Sequence, residues 1–186
     1  MSAAPEEVRF AKNASIMVEA IQDGVNRVRA ECKDVKTIDP LTMAFIVGVI
    51  QNFDKHHLIQ GFIDNSHRQC WDCIKKRDEA FFINNAGSIF QYLPAEKVNL
   101  FKDLYQAKDV NGNNVVSDSL KEQIWSLFDA MIKISIKYIH KMRSPYASTG
   151  PDGGIINAYA YEFFGEVDVV RHAQIWGLAL EFHPTC

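Results

Sequence analysis

The stretch "LKEQIWSLFDAMIKISIKYIHK", Leu120 to Lys141, decides the fold. Leu120, Ile124, Leu127, Met131, Ile134 and Tyr138 recur at alternating steps of three and four, the spacing that keeps side chains on one side of an α-helix. Trp125, Phe128, Ile132, Ile136 and Ile139 form a second line beside the first, and only Asp129, Lys133, Lys137 and Lys141 leave a polar stripe. A helix of about 25 residues reaches roughly 38 Å at 1.5 Å per residue, and one that is apolar on two sides has to be covered from two directions. The stretch is therefore expected to be the central helix of a bundle, with the lysine stripe as its water-facing edge.

The flanking sequence supplies the covering helices. Upstream, Ala11, Ala14, Val18, Ile21, Val25, Val28 and Cys32 make another three-four seam, and Pro5 followed by Glu6 and Glu7 suits a first turn, so a helix is predicted from Pro5 to about Lys33. Asp39 as N-cap with Pro40 at the first helical position starts a second, running to about Ile63. Ser66 and Gln69 fit a capping box and begin a third, which carries Cys70, Cys73, Ile74, Arg77 and Phe81 and continues towards Tyr92 until Pro94 closes it. "PAEKVNLFKDLYQ" makes a short fourth, with Val98, Phe101, Leu104 and Tyr105 inward. Beyond the central helix, "RSPYASTGPDGG" is rich in proline, glycine and small polar residues and reads as a loop. In the tail, Val169, Ala173, Trp176 and Leu180 suit a helix capped by Asp168, whereas Trp176, Leu178, Leu180 and Phe182 alternate as a strand would; the helix is the preferred reading. The expected architecture is mostly α: a bundle of five to six helices over residues 1–143, a flexible loop over 144–154, and an aromatic-rich C-terminal arm over 155–186 that packs on the bundle or on a partner.

Composition narrows the function classes. With 186 residues the chain suits one domain, and 47% hydrophobic residues mark a folded protein rather than a disordered one. The four cysteines are few for a disulfide framework, and "MSAAPEEVRF" lacks the basic start and apolar run of a secretory signal, so an intracellular setting is expected. "PLTMAFIVGVI", Pro40 to Ile50, is about half the roughly 20 residues a membrane helix needs, and no membrane span is expected. A net charge of −3 offers no long-range attraction for nucleic acid, and "IKKR" at Ile74 to Arg77 is the one short basic run, so nucleic acid is not an expected partner.

Three places carry possible metal or acid-base chemistry. In "KDVNGNNVVSDSL", Asp109, Asn111 and Asn113 occupy alternate positions, and the stretch from Leu100 to Phe128 resembles an EF-hand, with those residues at loop positions one, three and five. The resemblance implies a degenerate calcium loop at 109–120. Asn114, however, stands where glycine makes the sharp turn, and Leu120 where a glutamate would give both oxygens, with Glu122 two residues late. The preferred reading is an Asn-Gly turn with Ser117 or Ser119 as N-cap of the central helix. In "HRQCWDC", His67, Cys70 and Cys73 step by three along one side of a helix, and His56 or His57 could complete a zinc set; the preferred reading is that the cysteines are small buried apolar residues. Glu162, Glu166, Asp168 and His172 lie at near-helical intervals and read as a solvated face plus an N-cap rather than as an acid-base or metal cluster. No phosphate-binding glycine loop or nucleophile elbow occurs.

The functional expectation follows from these absences and from the arm. Tyr159, Tyr161, Phe163, Phe164, Trp176 and Phe182 place more aromatic surface in the tail than a short segment buries on itself. The chain is expected to be a non-enzymatic structural or protein-interaction component of a larger assembly, such as a scaffold or a shell, without a cofactor, and with a protein partner or a second copy. The alternative is a metal-binding protein, either calcium-binding at 109–120 or a metal-dependent enzyme.

Overall fold

The computed structural model describes residues 5–31, 48, 52–67, 70–89, 95, 99, 102–103, 105–109, 111–143 and 167–180. Among them are six helices: α1 (Pro5–Glu31), α2 (Lys55–Ser66), α3 (Cys70–Lys75), α4 (Glu79–Ile89), α5 (Asp118–Arg143) and α6 (Val169–Ile175). Among the described residues there is no strand, and the one β-type pairing is an isolated bridge between Lys108 and Asn114. The mostly helical class expected from the periodicity is what the structure has.

The long helix α5 is the centre. Ile132, Ile136 and Ile139 are fully buried, with Phe128 and Tyr138 nearly so, while Lys137 and Lys141 stay exposed on the stripe that the sequence marked as polar. Against it lies α1, running the other way: Lys141 Nζ is 3.2 Å from Glu6 Oε2 at one end. At the other end a Cβ on Gly24 would stand 3.1 Å from Leu120 Cδ2, so the absence of a side chain at Gly24 is what lets the two helices approach there. The buried side of α1 includes Phe10 and Met17 as well as Ala14 and Val18 of the expected seam. Phe10 belongs to it because its ring packs on Phe62 of α2 at 5.2 Å, so α1 faces two neighbours rather than one.

Three expectations about the middle of the chain are corrected. The predicted start at Asp39 and Pro40 lies outside the described residues, but the helix expected to run on to about Ile63 is broken at Phe53 and Asp54, and α2 has its own N-cap at Asp54, whose carboxylate accepts from the His57 N–H at 3.1 Å. Its last residue is Ser66, which does not open the next helix. The Ser66 hydroxyl donates back to the Phe62 carbonyl at 2.6 Å and accepts from Trp71 Nε1 at 2.8 Å. A short hydroxyl side chain bonds its own helix as readily as it caps the next one. The third helix predicted to run to Tyr92 is in fact two, α3 and α4, with a corner at Arg77, whose φ is 56°. Asp78 then accepts from the Phe81 N–H at 2.9 Å as the cap of α4.

The corner is fastened to α5. Arg77 donates through Nη1 to Asp129 Oδ1 at 2.7 Å and through Nη2 to Asp129 Oδ2 at 2.8 Å, a two-pronged ion pair. Phe82 meets Trp125 and Phe128 of α5 at 5.3 and 5.2 Å, and Lys121 pairs with Glu79 at 2.7 Å. Residues Val98, Phe101 and Leu104 of the predicted fourth helix lie outside the described residues; Tyr105 is buried as expected.

The core continues into the tail. Val167, Val169, Ala173 and Trp176 are buried with the α5 residues, and the Arg143 side chain donates to the Val167 carbonyl at 2.9 Å. Asp168 accepts from the Arg171 N–H at 2.9 Å as the predicted N-cap of α6. The helix ends at Ile175, and Gly177 turns with φ of 62°, so the alternation after Trp176 is not a strand as far as Leu180.

Candidate functional site

The most developed polar arrangement joins three helices. Pro5 at the start of α1 puts Glu7 in its first turn, and the Asp54 cap sets the start of α2 so that His56 and Gln60, four apart, share one side. The antiparallel course of α1 and α5 brings Tyr138 to the same end. His56 Nδ1 lies 3.0 Å from Glu7 Oε1 and 2.7 Å from the Tyr138 hydroxyl oxygen, and Gln60 Nε2 lies 2.8 Å from His56 Nε2. Glu7, Gln60 and Tyr138 are buried, while 36% of the His56 side chain is exposed. A carboxylate only accepts, so the Glu7 contact calls for the proton on Nδ1, and the Gln60 amide then donates to the lone pair on Nε2. With both ring nitrogens engaged, His56 works as a tie between helices; to take a proton from a substrate it would first have to give up Gln60. The sequence pointed to His56 only as a spare metal ligand, and to Glu7 only as a first-turn acid. Its one local sign was a polar pair, His56 and Gln60, beside the buried Ile59 and Ile63.

The loop after Tyr105 is folded on itself. Asp109 Oδ1 accepts from the N–H groups of Asn111 and Asn113 at 2.8 and 2.9 Å, and Oδ2 from the Asn113 amide at 3.2 Å. These donors, the Asn113 backbone first, hold the exposed Asp109 carboxyl below its usual pKa. Gly112 has φ of 82°, the left-handed turn position that favours glycine. Asn114 instead takes part in the bridge, its side-chain oxygen 2.6 Å from Lys108 Nζ, and Ser117 Oγ accepts from the Leu120 N–H at 3.3 Å at the entrance to α5. Asp109 and Asn113 are thus bonded to one another, with Asn111 contributing its backbone.

Burial raises the pKa of both thiols, that of Cys70 the more. Cys70 is buried and its thiol is pushed up to about 11 by burial and then by Cys73; Cys73, less buried, is also raised, again chiefly by burial. His67 Nδ1 is 2.8 Å from the Ile63 carbonyl, which caps the end of α2. Among the described residues no three His, Cys, Asp or Glu form a group that could hold a metal ion.

The tail residues divide. Trp176 is 3% exposed and stands under Lys75 Nζ, 4.8 Å from its ring centroid, so it belongs to this chain's own core and not to an outer interaction surface. Its periodic partners Val169 and Ala173 were the signal that could have shown this. Tyr159, Tyr161, Phe163, Phe164 and Phe182 lie outside the described residues, as do Glu162 and Glu166. His172 is buried rather than on a solvated face, its ring edge-on to Trp71 with centroids 4.9 Å apart.

No family model matches this chain. Neither does a curated protein or a solved structure. Among the described residues no helix is long and apolar enough to cross a membrane.

Proposed function

We propose that this chain is a non-enzymatic, intracellular component of a larger assembly and works by binding protein through the segment that joins α5 to α6. The observation that carries this reading is the bond from Arg143 to the Val167 carbonyl, between residues 24 apart in sequence. It brings the end of α5 and the entry to α6 to one point on the bundle, while Tyr159, Tyr161, Phe163 and Phe164 fall in the sequence between them. Aromatic side chains concentrated in a connection whose two ends are fastened suit a recognition element carried on a rigid scaffold. The groups best suited to chemistry support the same reading: the His56 ring is engaged on both sides, and burial pushes up the pKa of the Cys70 and Cys73 thiols.

The test is a full-length variant with Tyr159, Tyr161, Phe163 and Phe164 each replaced by serine, compared with the unaltered chain by circular dichroism and sedimentation velocity over a range of concentrations. The expected result is equal helicity and thermal midpoint, with concentration-dependent association in the unaltered chain alone. A large fall in the midpoint would assign the aromatics to the chain's own core and remove the basis of the proposal.

A further inference from the structure

Helix α6 has only seven residues, too few to persist without tertiary support, so its formation and its docking are one event. The docked face consists of Val169, Ala173 and Trp176, and among them sits a titratable ring, His172, that is 5% exposed. That ring lies edge-on to Trp71, and its Nδ1 is buried without a hydrogen-bond partner. A neutral imidazole tolerates this, because the buried nitrogen can be the one that carries a lone pair. A protonated ring does so less readily, since both nitrogens are then donors and Nδ1, buried with no hydrogen-bond partner in place, would carry part of a full charge.

The surrounding charges do not offset that cost. From α3 come Asp72 and Lys75, the latter over Trp176. From the end of α2 comes His67, and from α5 Arg143, held at Val167. On α6 itself Asp168 is committed to the Arg171 N–H, and Arg171 Nη2 holds Asp72 Oδ2 at 2.7 Å. Asp72, the anion that most favours a charged ring, is therefore already shared with an arginine. Burial, the largest influence, holds the His172 pKa below its ordinary 6.5; Asp72 and Asp168 oppose the shift, and Arg171 and His67 add to it.

We propose that His172 is a pH-sensitive latch: α6 stays docked on the bundle while this ring is neutral and is released when the ring takes a proton. The sign follows from linkage. The released ring has its ordinary pKa and the docked ring a lower one, so docking is at full strength above pH 6.5 and weakens as pH falls towards the docked value. Over that window the opening constant rises as pH falls, by at most tenfold per pH unit, and below the docked value the effect levels off. The latch acts on the same end of the connection that carries the proposed recognition residues, but it stands on the α3–α6 contact alone.

Amide hydrogen exchange on the full chain between pH 8 and pH 4.5, corrected for intrinsic rates, tests this directly. Protection of Val169–Ile175 is expected to fall with pH while that of Asp118–Arg143 persists, and His172→Gln, which cannot charge, should keep its α6 protection throughout. Should that variant fold poorly, the His172 ring-proton titration in the unaltered chain decides instead, with a midpoint below 6.5 that coincides with the loss of protection. Protection independent of pH, an equal loss in His172→Gln, or protection that rises on acidification would each overturn the latch. The last would mean that Asp72 Oδ1, also buried and without a partner, captures the new proton.

Discussion

Replacing Arg77 separates two effects that oppose each other at the corner between α3 and α4. The residue sits at φ of 56°, a left-handed conformation that costs a residue with a side chain about 1–2 kcal/mol. It also makes two charge-assisted bonds to Asp129, with side-chain exposures of 31% and 23%. Hydrogen bonds to charged groups contribute about 1.5–3 kcal/mol when buried. Partial exposure of both partners lowers the joint worth of the pair to about 1.5 kcal/mol. Glu122, at 63% exposure, adds little. Arg77→Ala loses the pair, keeps the backbone strain and leaves Asp129 half-buried, for a cost of about 2 kcal/mol. Arg77→Gly loses the same pair but relieves the strain, less about 0.5–1 kcal/mol for the greater freedom of an unfolded glycine, and should cost about 1 kcal/mol. Urea unfolding at unchanged m-value gives both figures, and a cycle with Asp129→Ala isolates the pair at about 1–2 kcal/mol. Alanine equal to or better than glycine would show that the corner is not strained; a coupling under about 0.5 kcal/mol would show that the ion pair does not fasten it.

The tail and the thiols supply two more measurements. Trp176→Ala should cost about 3–5 kcal/mol in chemical denaturation, because it empties a position 3% exposed in the shared core; a change under about 1 kcal/mol would place the ring outside that core. Alkylation by iodoacetamide at pH 8, read by peptide mass mapping, should modify Cys73 well before Cys70, since Cys70 is the more buried and its thiol is pushed up to about 11; equal rates, or Cys70 first, would contradict the packing around it.

What the sequence disclosed was set by how local each signal is. The two seams of α5 recur every three or four residues, and their buried members, Ile132, Ile136 and Ile139 among them, are where periodicity puts them. Asp168 was recognised as a cap because it acts on an N–H three residues away. The corner at Arg77 carried only a faint mark, the Asp78 cap acting three residues on; no glycine or proline announces it, and the ion pair that fastens it reaches Asp129, 52 positions further on. The Glu7–His56–Tyr138 tie was invisible for the same reason, its members being 49 and 82 positions apart. Ser66 was misassigned because a hydroxyl that caps the next helix and one that bonds back into its own look alike in sequence. The aromatic tail was treated as one body, whereas Trp176 is separated from the Tyr159–Phe164 group by the α6 cap and joins the bundle.

The antiparallel seating of α1 on α5 also bears on how the chain comes into being. Glu6 meets Lys141 across 135 positions, so α1 leaves the ribosome long before α5, the longer of the two helices it packs on. Until α5 has been synthesised, Phe10, Ala14, Met17 and Val18 have no α5 to pack on, although the elements among the described residues are all helices. An all-helical protein usually gains speed from short-range contacts, but this one closes a loop of nearly the whole bundle before its central pair can form. The pace at which residues 118–143 emerge during synthesis therefore sets the earliest moment at which α1 and α5 can pair.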